Sequence, residues 1–350
     1  IQPSSRQRKK PLCQRLLRGQ FRWRLMNTKL VERVCAPLTI LYEPLSVLLA
    51  LVLVVASRWA LFRSIDWHFY GQVMAQFNPG DYLLSLGLLI AVVLVHEFGH
   101  AAAQLRFGLP PGPIGFQLYL YIPAFFANVD ASWKLKPSRR IVIDLAGIYF
   151  QTVAASVLYL MALETNFTPL LTTALASDSL CLIAINPFLR FDGYWLLADA
   201  LAVPNLRTLS QRLLAHYWKR LLGREAPGNI LPIGRARAAT VTAYAILRNG
   251  FWLFVVFAIV RNLSRLYAGA SATLWKFLSQ GLDGVRSLDG ALVASSLIRM
   301  VLFVLLLLTM SALLANTAVK VWQLARAGVE KARCRPQQSC QSRRTRMGGN

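Results

Sequence analysis

The sequence predicts an all-α polytopic membrane protein with about six transmembrane helices. Three observations carry that expectation. Of the 350 residues, 55% are hydrophobic and only 15% are charged, too apolar a balance for a soluble chain of this length. The apolar residues gather in several runs long enough to cross a bilayer. The net charge of +24 falls mostly between and outside those runs, where lipid headgroups and topology account for it better than nucleic acid does. The bilayer is therefore the expected partner, and nucleic acid is not.

The chain opens with a basic segment, 1–36, that has no apolar core of the kind a cleavable signal peptide needs. It starts at Ile1 rather than Met, which fits either a fragment or a misplaced start. A transmembrane domain, 37–320, follows, with spans at 37–62, 82–107, 141–163, 179–197, 239–260 and 296–319. The fourth is the least regular, because Pro187 interrupts it and the preceding 170–176 is also largely apolar. A basic tail, 321–350, closes the chain and is expected to be disordered from about Arg333. Lys and Arg number ten in 1–36, five in 104–140, eight in 190–237 and eight in 320–350. The alternate stretches carry one in 63–81, none in 164–178 and four in 261–295. That alternation predicts a multi-pass protein of the inner (cytoplasmic) membrane with both termini cytosolic. Cys13, Cys35, Cys181, Cys334 and Cys340 lack paired spacing and read as unpaired thiols.

Between the second and third spans, Pro110-Pro111-Gly112-Pro113 stops any helix. The next stretch, 114–129 (IGFQLYLYIPAFFANV), is aromatic and partly alternating, which predicts a short membrane-associated β-hairpin-like segment. Two uses are open to it: packing against the helices, or offering an edge to an extended peptide.

The chemistry gathers at His96-Glu97-Phe98-Gly99-His100, preceded by fourteen residues without a charge. Histidines at i and i+4 share one helix face and can share one metal ion, while Glu97 is placed to take a proton from a water that the metal activates. Ionisable groups at this depth are costly in lipid and mark functional sites. A catalytic zinc takes three protein ligands, and Asn186-Pro187-Phe188-Leu189-Arg190-Phe191-Asp192-Gly193 offers Asp192 as the third. His96 lies fourteen residues below the outer end of its span, about 21 Å. Asp192 lies thirteen residues after Ser179, about 20 Å down a span running the same way. Pro187 and Gly193 would free the chain for the carboxylate to swing towards a metal, and Asn186 could donate to a substrate carbonyl or oxyanion. The plainer alternatives are that Asp192 pairs with Arg190 and that Asn186 only caps a broken helix. Asp130, Asp144 and Asp178 are weaker ligand candidates, and His68 and His216 read as surface residues.

HEFGH on one span, LAGIYFQ (145–151) on the next and NPFLRFDGYW on a later one resemble the site-2 protease family of intramembrane zinc metalloproteases, over roughly 82–206. The last motif and the following LAVPNLR resemble a bacterial subgroup described as peptide zinc metalloproteases, often encoded with or fused to membrane-fusion-type secretion adaptors. The resemblance implies one zinc per chain held by His96, His100 and Asp192, with Glu97 as catalytic acid/base. It also implies a membrane-embedded or membrane-associated protein or peptide as substrate, and a secretion adaptor as a candidate partner. Ile148 stands where the family commonly has proline, and Tyr194 where many members have a second glycine. Neither change touches a ligand. One rival is a non-proteolytic membrane component of a peptide-export assembly with a structural metal site, which would have no use for Glu97. Another is an ion-coupled transporter, which would show an internal repeat that this sequence lacks.

Overall fold

A computed structural model describes residues 21–64, 77–119, 122–221, 223 and 234–347. Among these, five helices are long and apolar enough to cross a membrane, and the protein is accordingly multi-pass. The elements run β1 (Phe21–Met26), α1 (Thr28–Cys35), α2 (Pro44–Ser64), α3 (Pro79–Arg106), β2 (Ile114–Tyr119), β3 (Ile122–Ala127), α4 (Pro137–Thr165), α5 (Thr168–Ala184), α6 (Asp192–Ala200), α7 (Leu206–Leu221), α8 (Arg235–Ala268), α9 (Ala270–Ser287) and α10 (Gly290–Met347). The larger of two compact units comprises 22–117 and 123–300 and holds every site residue described below. The smaller includes α10 from Val301 onward. This helix continues to Met347, through the tail whose composition suggests no structure. His68 lies outside the described residues.

Two of the membrane helices, α3 and α4, show local reasons for their limits. At the start of α3 the Asn78 side chain accepts from Asp81 N at 2.8 Å while Asp81 accepts from Asn78 N at 3.3 Å, with Pro79 in the first turn. The same helix stops at Gly108, whose φ of +72° favours glycine, before the proline run. Pro137 opens α4, and Asn166, left-handed at φ 51°, closes it. Only residues 166 and 167 separate α4 from α5, so the two are antiparallel neighbours.

The spans near the site approach closely because the residues between them are small. Gly99 of α3 lies under the Ala146 carbonyl of α4, and Ala155 and Ala174 are buried between α4 and α5, beside the larger Tyr159. A polar cluster joins α2 to this pair. Arg58 bonds Asp178 at 2.6 Å and Ser156 at 2.5 Å, and Tyr159 donates to Asp178 at 2.9 Å. Asp178 is thereby committed to Arg58. Cys35 and Cys181 are free and buried, and burial pushes the Cys35 thiol, outside the spans, up to about 12.

The structure corrects the sequence reading at two points. The fourth span is not a continuous helix over 179–197. It is the 17-residue α5, about 25 Å long and short for a full crossing, followed by a turn and the separate α6. Pro187 falls in that turn, and the apolar 170–176 belongs to α5. The segment after the proline run forms a hairpin, as expected, but within a three-stranded sheet ordered β1-β2-β3. The strand β1 comes from the basic N-terminal segment and covers β2, so β3 is an edge and β2 is central. Trp23 stacks on Phe116 at 5.9 Å, Phe116 meets Phe125 edge to face at 5.7 Å, and Arg22 covers the Phe126 ring at 3.6 Å. Val31 and Cys35 of α1 pack with Ala101, Ala102, Ile114 and Phe150, fixing this sheet to α3 and α4.

Ser85 meets Thr172 and Thr173 near the starts of α3 and α5, so these two helices run the same way. The stretches after both must lie on one side of the membrane. Reporters fused within 108–113 and directly after Leu221 should therefore report the same compartment. Opposite signals would contradict the arrangement.

Candidate metal centre

His96 and His100 lie one turn apart on α3, and both are buried. Their Nε2 atoms stand 3.2 Å apart. Asp192 reaches them from the first turn of α6, with Oδ2 at 3.0 Å from His96 Nε2 and Oδ1 at 3.5 Å from His100 Nε2. All three ligand atoms lie within 4.8 Å of one another, an arrangement that could hold a metal ion. Asp192 meets the histidines as expected, though from the start of a new helix rather than along a span. Asp130, Asp144 and Asp178 are not in this group.

The hydrogen bonds around the rings fix what faces inward. His96 Nδ1 lies 2.7 Å from Gln151 Oε1, and the Gln151 amide nitrogen donates to Ser177 O at 3.1 Å and Ser177 Oγ at 3.2 Å. That second contact sets the amide so that its oxygen faces the imidazole, which makes His96 Nδ1 the donor. His100 Nδ1 donates to the Ile143 carbonyl at 2.7 Å. With a proton on each Nδ1, a ring in its neutral form points its Nε2 lone pair at the Asp192 carboxylate. Three acceptors converging in this way repel one another unless a proton or a metal cation lies among them. Two imidazoles and one carboxylate suit zinc, and leave one tetrahedral position open. The residues present therefore fit that ion, with Gln151 and the Ile143 carbonyl as the outer partners that such ligands usually have.

Glycine and a clamped turn make room for this arrangement. A Cβ on Gly147 would run into Nε2 of both histidines, so only glycine lets α4 pass this close to the ligand nitrogens. A Cβ on Gly193 would strike the Ile185 carbonyl, so glycine lets α6 start directly against the end of α5. Asn186 Oδ1 accepts from Phe188 N at 2.9 Å and shapes the turn, and Tyr244 donates to the Pro187 carbonyl at 3.2 Å. Arg140 grips Asp199 through two bonds of 2.6 and 2.8 Å, both side chains largely buried, and ties α6 to α4. Arg190 instead lies over the rings of Tyr194 and Trp195.

Glu97 is buried beside the cluster, and its carboxylate accepts from the backbone N–H of Ala127, the last residue of β3. The sheet thus ends at the site. Asn128 N donates to Pro113 O across the hairpin, so by alternation the N–H groups of Phe125 and Ala127 point the other way, out from β3. The roles of Gln151, Gly147 and the Ile143 carbonyl were not read from the sequence. A glutamine among the apolar residues of a span was the available signal.

Comparison with known proteins gives one relative. The chain is 27% identical over 137 residues to the "Putative peptide zinc metalloprotease protein YydH" of Bacillus subtilis (strain 168). That stretch is 39% of this chain and 52% of the relative, so the chain spans about half the length of the curated protein it matches. No family model and no solved structure matches. The similarity is to a protein named as a zinc metalloprotease, and it agrees with a His-His-Asp cluster able to take a metal.

Gly147→Ala should abolish zinc retention while leaving the helix content unchanged. Gln151→Ala should weaken zinc about ten- to hundredfold, and Gln151→Glu, which keeps an acceptor for His96 Nδ1–H, should restore most of it. Metal content of the purified proteins checks both. Full zinc in Gly147→Ala would mean the rings do not pack as described.

Proposed function

We propose that this protein is a zinc-dependent intramembrane endopeptidase that hydrolyses peptide bonds of membrane-embedded or membrane-associated proteins or peptides. The observation that carries the proposal is the convergence of His96 Nε2, His100 Nε2 and the Asp192 carboxylate, with Glu97 buried next to them and a strand edge ending at Glu97. His96, His100 and Asp192 would hold one zinc per chain. When bound there, zinc would polarise the scissile carbonyl and acidify a water, the chemistry that the open position of such a site supplies.

The protein's own groups supply the rest. Glu97 accepts the proton from the attacking water and passes it to the leaving amine. The Ala127 N–H holds its carboxylate in place meanwhile. A helical substrate cannot present its peptide bond to a nucleophile, because neighbouring turns shield it, so a segment must be held extended. Phe125 offers an outward N–H and C=O two residues from the strand end that holds Glu97, which suits pairing with an extended chain. Pro123 has no N–H, and proline is tolerated in edge strands. Asn186 commits its oxygen to Phe188 N, which leaves its amide N–H groups as the end able to donate to a substrate carbonyl. On the distribution of basic stretches, the site would lie towards the cytosolic side of the inner membrane, with both termini cytosolic. A secretion adaptor is the proposed partner, on the family resemblance alone.

Glu97→Gln should keep its zinc and lose at least about a hundredfold in cleavage of single-span peptides reconstituted with it in liposomes. The same variant should retain uncleaved substrate on purification. Cleavage at the wild-type rate by Glu97→Gln would remove Glu97 from the chemistry. Phe125→Pro should lower cleavage sharply at normal zinc content, and Phe125→Ala, which keeps the N–H, should be milder. Equal rates for these two would limit β3 to packing.

A further inference from the structure

Arg248 lies within the span formed by α8 and is only 4% exposed. A buried guanidinium in a membrane helix is costly, and ordinarily a carboxylate faces it. Here, among the described residues, none does: every ion pair found there involves other side chains. Its partners are neutral, with Nη1 donating to Ser210 Oγ at 3.2 Å and Nη2 to Asn249 Oδ1 at 3.0 Å, and with the Tyr244 ring 5.7 Å away. Arg207, exposed on α7, repels Arg248. Hydroxyls complete the surroundings: Ser210, Tyr244, and Tyr194, whose oxygen accepts from Arg207 N at 3.2 Å. Two guanidiniums with hydroxyls and no carboxylate are what a phosphate group, with its several acceptor oxygens, requires.

The position of α7 indicates where that phosphate comes from. Its Leu206, Leu209 and Leu213 are buried in a cluster with Val241 and Tyr244 of α8. Arg207, Arg212, Lys219 and Arg220 are exposed, together with Tyr217 and Trp218. A helix with one apolar face, a basic face and aromatic residues lies in the plane of the headgroups and is drawn to anionic lipid. Basic pockets beside membrane helices take acidic headgroups in the same way.

We propose that Arg248 and Arg207 form a phosphate-binding site between α7 and α8, filled by the headgroup of an anionic phospholipid. The phosphate enters past the exposed Arg207 and reaches the buried guanidinium edge beside Ser210. The inference stands apart from proteolysis, although the residues around it also border the Asp192 turn, through Tyr244 on Pro187 O.

The test uses the full chain in nanodiscs of phosphatidylcholine alone or with phosphatidylglycerol, with retained lipid read by native mass spectrometry after release. Wild type should keep one phosphatidylglycerol per chain, and Arg248→Gln and Arg207→Gln should each weaken retention about tenfold or more. Zinc content and circular dichroism report whether Arg248→Gln is folded, and Arg207→Gln, altered at an exposed position, carries the test if it is not. Inorganic phosphate added to phosphatidylcholine discs and retained in an Arg248-dependent way would support the phosphate site and assign it to a soluble anion. Phosphatidylglycerol held no better than phosphatidylcholine, or held equally by wild type and both variants, would overturn the proposal.

Discussion

Three electron-rich atoms are brought together inside an apolar bundle, and the rest of the larger unit is arranged so that they stay there. Gln151 and the Ile143 carbonyl each accept a hydrogen bond from an Nδ1–H, and both rings turn Nε2 inward. Gly147 leaves the space beside their Nε2 atoms, and Gly99 lets α3 and α4 approach closely enough for the two hydrogen bonds to form. Asp192 belongs to another helix and must be held separately. Arg140 on Asp199 secures α6 to α4, and Tyr244 on Pro187 O secures the turn before it. Removing one partner of a buried pair such as Arg140–Asp199 typically costs about 3–5 kcal/mol, enough to release the carboxylate from the histidines.

The small sheet follows from the same constraint. Backbone N–H and C=O groups near a membrane interior must be paired or covered, and β1 and α1 supply that cover for β2. The outward edge of β3 is left over, and one of its two N–H groups is already given to Glu97. The sheet therefore holds the acid/base candidate directly, and an extended peptide paired along that edge would run towards Glu97.

Much of this was legible in the sequence because its signals are local. The i, i+4 spacing of His96 and His100 fixes their shared face, and uncharged runs fix four of the spans to within a few residues. The proline run before Ile114 marks the hairpin. The fourth span was misread because α5 and α6 are both apolar and the turn between them is short, so hydropathy runs on across Pro187. The depth estimate for Asp192 reached the right neighbours from a wrong helix. The strand β1 escaped notice because six residues among ten Lys and Arg look like a solvated arm, and its partner lies some ninety residues on. Gln151 was visible only as part of a motif. Its bond to His96 spans 55 residues, and no period in the sequence records such a contact.

The central claim is that two imidazoles and one carboxylate hold a zinc ion. X-ray absorption at the zinc edge on the purified chain tests it most directly. The account predicts about one zinc per chain, with nitrogen and oxygen donors at about 2.0–2.2 Å, two of them imidazoles, and one imidazole fewer in His100→Ala. A sulfur shell at about 2.3 Å, which would implicate cysteine, or an unchanged spectrum in His100→Ala, would contradict it.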